Sequence, residues 1–394
     1  MKVISVRAVA LSVVALLVFR GKALGQQPLG DSRDVYRILA TAESDDQVAL
    51  IEFRPCLDGA TANCGATVVR TYQVGLLPAD TEGPHGVVMA PDGKSFYVSL
   101  AHGRPFGYLQ KIDFATGRPI GLVEVGMFAA TVDLAAGELI WVVNFNFEDP
   151  KMEPSSVSIV DGQSMMEVAR PTTCRMPHGS RLNGQGTKHY SGCMMNDLLV
   201  EIDARTFEVT KKFSLAPGRE GVVSLDAGGA AGEHGDMAGM SHGDHPTTAV
   251  SNLCSPTWAQ PAAAGPSVYV ACNRSNEIVE IDTATWALLR RWKTPAAPYN
   301  LAVTPDGSKL IATQKGPGTI TVWRLRDQVL LGEIAGTRKV ASGVAVSADS
   351  RYAFVTLEGV GGQPGTVDVV DLATVTKVGS VAMGKQAGGV TVVP

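Results

Sequence analysis

The stretch from Glu82 to Gly117, EGPHGVVMAPDGKSFYVSLAHGRPFGYLQKIDFATG, reads as one four-stranded unit that the chain then repeats. A short apolar run, Val87 to Ala90, meets a Pro91-Asp92-Gly93 turn, and an aromatic, β-branched strand follows from Phe96 to Leu100. A third strand ends at Lys111-Ile112-Asp113, where Thr116-Gly117 turns into a fourth. Turn residues at fixed offsets between short alternating strands are the hairpin signal. The Ile112-Asp113 corner recurs as Val160-Asp161, Ile202-Asp203, Ile281-Asp282 and Val370-Asp371, at intervals of 48, 42, 79 and 89 residues. The last interval holds two units, because Trp323-Arg324-Leu325 fills a degenerate corner between them. The Pro-Asp-Gly turn returns at Pro305-Asp306-Gly307 and, weakened, at Ala348-Asp349-Ser350. A period of about 42 residues with four strands per unit predicts propeller blades. The corner aspartates Asp113, Asp203, Asp282 and Asp371 are expected to be turn residues.

Complete units begin near Glu82, Met127, Cys174, Leu253, Pro295 and Lys339. Before them, Tyr36 to Ala42, Val48 to Arg54 and Thr67 to Val74 supply only three strands; after them Gly389 to Val393 is an orphan. The orphan is expected to be the inner strand of the first blade. The predicted fold is therefore all-β: a seven-bladed β-propeller closed by the C-terminal strand, which removes the open edges of a β-sandwich.

Lys2 and Arg7 precede an apolar run from Ala8 to Phe19, and Ala23-Leu24-Gly25 offers small cleavage-site residues, so residues 1–25 are expected to be a secretory signal peptide. The run is too short to span a bilayer, so the mature propeller, residues 26–394, is expected in the periplasm or the medium with no membrane span. Removing the leader takes away Lys2, Arg7, Arg20 and Lys22 and no acid, making the formal charge more negative than −4. An acidic surface argues against a nucleic-acid partner.

An exported chain with 6 cysteines is expected to oxidise them. No CxxC or CxxCH occurs, which disfavours covalent haem and a thioredoxin-like site. In a propeller, the loop leading into each inner strand and the loop after the second strand share one face, the top. Cys174 precedes an inner strand and Cys193 ends its neighbour, and Cys254 and Cys272 hold the same two places in the next unit, so each pair is expected to bridge. Cys56 and Cys64 flank an outer hairpin and are paired by proximity.

One segment breaks the period. Residues 216–252, Gly- and Ala-rich, are expected to be a flexible excursion from the top between the fourth and fifth blades.

The whole mature chain resembles the YVTN family of exported seven-bladed β-propellers. The resemblance rests on the Pro-Asp-Gly turns, the strands Phe96 to Leu100 (FYVSL), Val268 to Cys272 (VYVAC) and Ala353 to Leu357 (AFVTL), and the corners that follow them. The tetrapeptide after which the family is named is nowhere intact. The resemblance implies fold and export; the architecture hosts many functions.

Chemistry is sought in the histidines. His85 and His178 stand in Pro-His-Gly at the same place in two blades, where inward imidazoles reach one channel. His102 lies in a top loop. His234, His242 and His245 lie in the excursion with Met237 and Met240 between them, and this string resembles the Met/His-rich segments of exported copper-handling proteins. Imidazole with thioether is a copper ligand set. His189 is expected to pack inside a strand. No nucleophile elbow, phosphate-cradling loop or zinc-protease helix occurs, and no catalytic residue is assigned. The expected function is binding of a transition metal, copper first, by His85, His178, His102, His234, Met237, Met240, His242 and His245. The work would be metal handling or support of a periplasmic redox system, with a redox or scaffold protein as possible partner. The alternatives are a copper-dependent oxidoreductase with a channel active site, and a metal-free interaction scaffold.

Overall fold

The computed structural model describes residues 35–56, 64–77, 80–102, 106–147, 149, 151, 153–226 and 253–394. Within Val35–Pro394, a single compact unit, the only regular element besides β-strands among the described residues is the 3-10 turn Glu43–Asp45. Among the described residues no helix is long and apolar enough to cross a membrane. The leader segment 1–25 lies outside the described residues.

The strands assemble into antiparallel sheets in a propeller-like arrangement. Pro84–Met89, Ser95–Leu100, Gly107–Asp113 and Pro119–Val125 form one four-stranded sheet in chain order, as the repeat predicts. The first sheet is built from both ends of the chain: Ala387–Val393 lies beside Tyr36–Ala42, which is followed by Gln47–Arg54 and Gly65–Gln73. Two further units form one nine-stranded sheet, because Gly179 pairs in parallel with Trp258 and because Gly221–Val223 adds an outer strand to Val209–Ser214. That outer strand occupies the start of the segment expected to lack strands; Glu220, next to it, is anchored by Arg291 at 2.7 Å.

Alternation within each strand leaves apolar residues on both faces, so successive sheets share cores. Leu39 and Phe96 belong to one cluster, Tyr97 and Val132 to the next, and Trp141 and Val200 to a third. The series continues through Phe213 with Val270, Trp258 with Leu301 and Ile311 with Val355, and ends with Phe354 against Phe53 of the first sheet. Side chains such as Trp141, Phe53 and Phe354 are fully buried, each contributing about 1.5–3 kcal/mol of transfer free energy.

The corners behave as the sequence predicts. Oδ1 of Asp113 accepts the Thr116 N–H at 2.7 Å, and Asp203, Asp282 and Asp371 accept the N–H groups of Thr206, Thr285 and Thr374 in the same way. Each carboxylate thus closes an Asx turn between third and fourth strands.

Three disulfides form, Cys56–Cys64, Cys174–Cys193 and Cys254–Cys272, consistent with an oxidising extracellular compartment. Cys174–Cys193 closes a loop of sequence separation 19 at the top of one unit. Replacing both of its cysteines by serine is expected to cost about 3 kcal/mol through the unfolded chain's regained freedom. Urea unfolding of the double variant checks this; an unchanged midpoint would show that the bridge contributes nothing.

Candidate functional site

The site is built by the residues that open each inner strand. The residue just before the strand takes a left-handed conformation at Gly83, Phe128, Met176, Ser255, Ala297 and Gln386, with φ between 49° and 61°. This bend turns the chain from the top face into the channel. Phe128 and Met176 hold bulky side chains at a φ that favours glycine, at a cost on the order of 1 kcal/mol each.

Two residues on, His85, Ala130, His178, Thr257 and Tyr299 stand at matching places, with Ser342 and Gly388 completing the set. The residue after them is often glycine because inner strands meet side by side. A Cβ at Gly179 would lie 2.3 Å from the Thr257 carbonyl oxygen, and one at Gly389 would lie 2.4 Å from that of His85.

A belt of hydrogen bonds links these strands. Seven carbonyls each accept from the preceding unit: His85 from Thr41, Ala130 from Ser99, His178 from Thr131, Thr257 from the His178 ring, Tyr299 from Thr257, Ser342 from Thr313, and Gly388 from Thr356. Thr41, Ser99, Thr313 and Thr356 all sit near the end of a second strand. Where that place holds Val143, Gly192 or Ala271, the inner strand supplies the donor instead: Thr131, His178 or Thr257.

His178 is therefore held at both nitrogens. Nδ1 lies 2.9 Å from the Thr257 carbonyl, which only accepts, so Nδ1 carries the proton and Nε2 accepts from the Tyr299 hydroxyl at 2.9 Å. His178 is 2% exposed. Burial, with the nearby His85 adding to it, holds its pKa down to about 3, so the ring is neutral. A metal at Nε2 would have to displace Tyr299.

Burial raises the Tyr299 phenol above its usual range. Lys315 lies over the Tyr299 ring, its Nζ 4.0 Å from the centre, and 3.2 Å from Glu358. Burial works against the Lys315 charge, but Tyr299 and the carboxylates of Glu358 and Glu43 outweigh it and raise the pKa.

His85 and His102 converge on Glu43, in the 3-10 turn that follows Tyr36–Ala42. His85 Nε2 is 3.8 Å from Glu43 Oε1, and His102 Nε2 is 3.9 Å from Oε2. Glu43 is 6% exposed; the Gln386 amide donates to its Oε2 at 3.0 Å. The His85 and His178 ring centres are 6.1 Å apart, edge to face. Beside them Phe128 approaches both His85 and His102, at 6.0 and 5.3 Å between ring centres, and packs with Phe145, Met176 and Met194. Among the described residues, no group of three or more His, Cys, Asp or Glu side chains is placed to hold a metal ion.

His234, Met237, Met240, His242 and His245 lie outside the described residues. His189 is fully buried and stacked on Trp141, 4.7 Å between ring centres. Glu43, Lys315 and Glu358 were not singled out by the sequence. The hydroxyl belt has a sequence signal, the Ser or Thr recurring near the end of second strands.

No protein-family model and no curated protein matches the chain. Among solved structures, the fold is similar to hydrazine synthase of Kuenenia stuttgartiensis, with a TM-score of 0.56 and 16% identity over 76% of this chain and 80% of that one. It is also similar to a functionally unknown protein of Desulfotomaculum acetoxidans, with a TM-score of 0.61 and 12% identity over 90% of this chain and 98% of that one. At such identities the likeness concerns the fold alone, and with the sheet architecture it fits a propeller.

Proposed function

We propose that this chain is an exported, YVTN-like seven-bladed propeller closed by its C-terminal strand, and that its channel mouth binds a transition metal, copper first. The seven-blade reading is supported by the belt of carbonyls and by the core that Phe354 shares with Phe53. The metal reading rests on one observation: a nearly buried carboxylate, Glu43, faces two imidazole nitrogens at 3.8 and 3.9 Å. Two donors about 2.0–2.2 Å from one ion stand at most about 4 Å apart, so each pair falls within what an ion bridges. Nitrogen and carboxylate donors suit a borderline divalent ion, and Cu(II) heads the affinity order. When bound, the ion supplies Lewis acidity or one-electron chemistry. The protein's part is to hold it: Gln386 orients Glu43, while Phe128 fixes the imidazole side and limits water. The thioether and imidazole groups of residues 233–245 would be further copper donors, serving metal handling or support of a periplasmic redox system.

The test is metal content of the mature, untagged protein by elemental mass spectrometry. We expect near-stoichiometric copper in the parent, and a drop in affinity of about tenfold or more in Glu43→Gln and in His85→Ala. Copper retained by both variants but lost on deleting residues 233–245 would move the site to the excursion. No bound metal in the parent, even after reconstitution, would overturn the proposal in favour of an interaction scaffold.

A further inference from the structure

The stretch of channel that His85 and His178 help to line also presents polar groups that the metal reading does not use. It is a cavity of about 40 Å³, lined among others by Arg181, Trp258, Asn300 and Ser342. A cavity of roughly 10–15 Å³ on this measure accepts one water, so this one has room for three or four non-hydrogen atoms.

Its polar groups are unspent. The Arg181 guanidinium lies against the Trp258 ring, 4.5 Å from the ring centre, and gives one N–H to the Ser180 carbonyl at 2.8 Å. Asp133 attracts it from a distance, but the Asp133 oxygens are taken by the N–H groups of Leu182 at 2.7 Å and Leu134 at 2.9 Å. Among the described residues Arg181 makes no ion pair within 4.0 Å. Asn300 is 5% exposed and its side-chain oxygen has no partner. Ser342 is 6% exposed, and among the described residues its hydroxyl has no hydrogen-bond partner either. The buried Asn300 oxygen is costly to leave unpaired, and the half-buried guanidinium and the Ser342 hydroxyl bring further unused donors to the same small space.

We propose that the channel binds a small monovalent oxyanion of formate, nitrite or nitrate size. Arg181 is its counter-ion, in the planar fork geometry that suits two oxygens. The Asn300 amide, turned to present its NH2, and the Ser342 hydroxyl donate from the other side. The cavity's size excludes aromatic acids, and the fixed charge excludes neutral isosteres such as formamide.

The test is calorimetric titration of the full mature chain with sodium formate, nitrite and nitrate at constant ionic strength, with benzoate and formamide as controls. It is run on both chelated and copper-loaded protein, so that the anion site and the metal site are judged separately. We expect saturable binding with a Kd of about 1 mM or tighter, weakened about tenfold or more in Arg181→Gln and a few-fold in Ser342→Ala. If Arg181→Gln does not fold, Ser342→Ala and Asn300→Ala carry the comparison. Absence of saturable binding to the parent overturns the proposal, as does unchanged affinity in a folded Arg181→Gln or in both of the other variants.

Discussion

Removal of residues 388–394 is expected to abolish cooperative folding. The strand they belong to, Ala387–Val393, pairs with Tyr36–Ala42 from the other end of the chain. Ala387 and Val390 sit in the same core as Ile51, Phe53 and Phe354. Without the strand, Tyr36–Ala42 becomes an open inner edge, Val390 and its neighbours leave the core, Thr356 loses its belt partner, and Thr41 loses one of its two acceptors. Unpaired ladder, lost core and orphaned hydroxyls together cost roughly 5 kcal/mol or more, on the scale of a whole domain's 5–15 kcal/mol. Calorimetry of the truncated chain is expected to show no sharp transition, together with binding of a hydrophobic dye at room temperature. A truncated chain that melts within a few degrees of the parent would show that closure does not hold the fold.

Acid is expected to destabilise the protein steeply below about pH 6.5. His178 and His189 are both buried and neutral, burial holding each pKa down to about 3 in the folded chain, against 6.5 in an unfolded one. The unfolded chain therefore takes up these protons first. Their contribution is complete above pH 6.5 and is lost progressively as pH falls towards 3, at about 1.4 kcal/mol per unit for each ring. Asp133 and Asp197, raised by burial, work the other way and recover part of the loss as they protonate. Urea unfolding free energies between pH 7.5 and 5 are expected to fall by up to about 3 kcal/mol per unit at the steepest. His189→Phe should roughly halve that slope. His178→Ala should also cost about 3 kcal/mol at pH 7.5, because the Tyr299 hydroxyl and the Thr257 carbonyl lose their partner and a cavity opens. A flat profile in the parent would mean that neither ring is neutral and buried.

Much of the fold was legible because its signals are local. The Pro91-Asp92-Gly93 turn, the Asp113 corner and the Cys174–Cys193 pair each lie within one unit, where a fixed spacing dictates a fixed neighbour. The site was less legible because its contacts run between units. The sequence position of His178 predicts an inward-facing ring, but its partners Thr257 and Tyr299 stand 79 and 121 residues away. Nothing in the Pro-His-Gly string distinguishes it from the freer His85. Glu43 escaped notice for a related reason: it follows the second strand of a sheet whose inner strand comes from the opposite end of the chain, so its equivalence to Lys315 and Glu358 is hidden until the sheet is assembled. The composition of the excursion predicts no strand, yet Gly221–Val223 needs only backbone to join the edge of Val209–Ser214.

The belt of carbonyls also bears on how such a chain can be edited. Copying or transplanting a repeat presumes that each unit carries its own fittings, and four of the hydroxyl donors satisfy that. The unit containing His178 does not: Gly192 leaves it without a hydroxyl, its imidazole substitutes, and that imidazole then needs a tyrosine two units further on. Moved elsewhere in the molecule, this unit would bring a buried nitrogen with no mate, and any unit put in its place would strand Tyr299. The repeats share a shape but are not spare parts for one another.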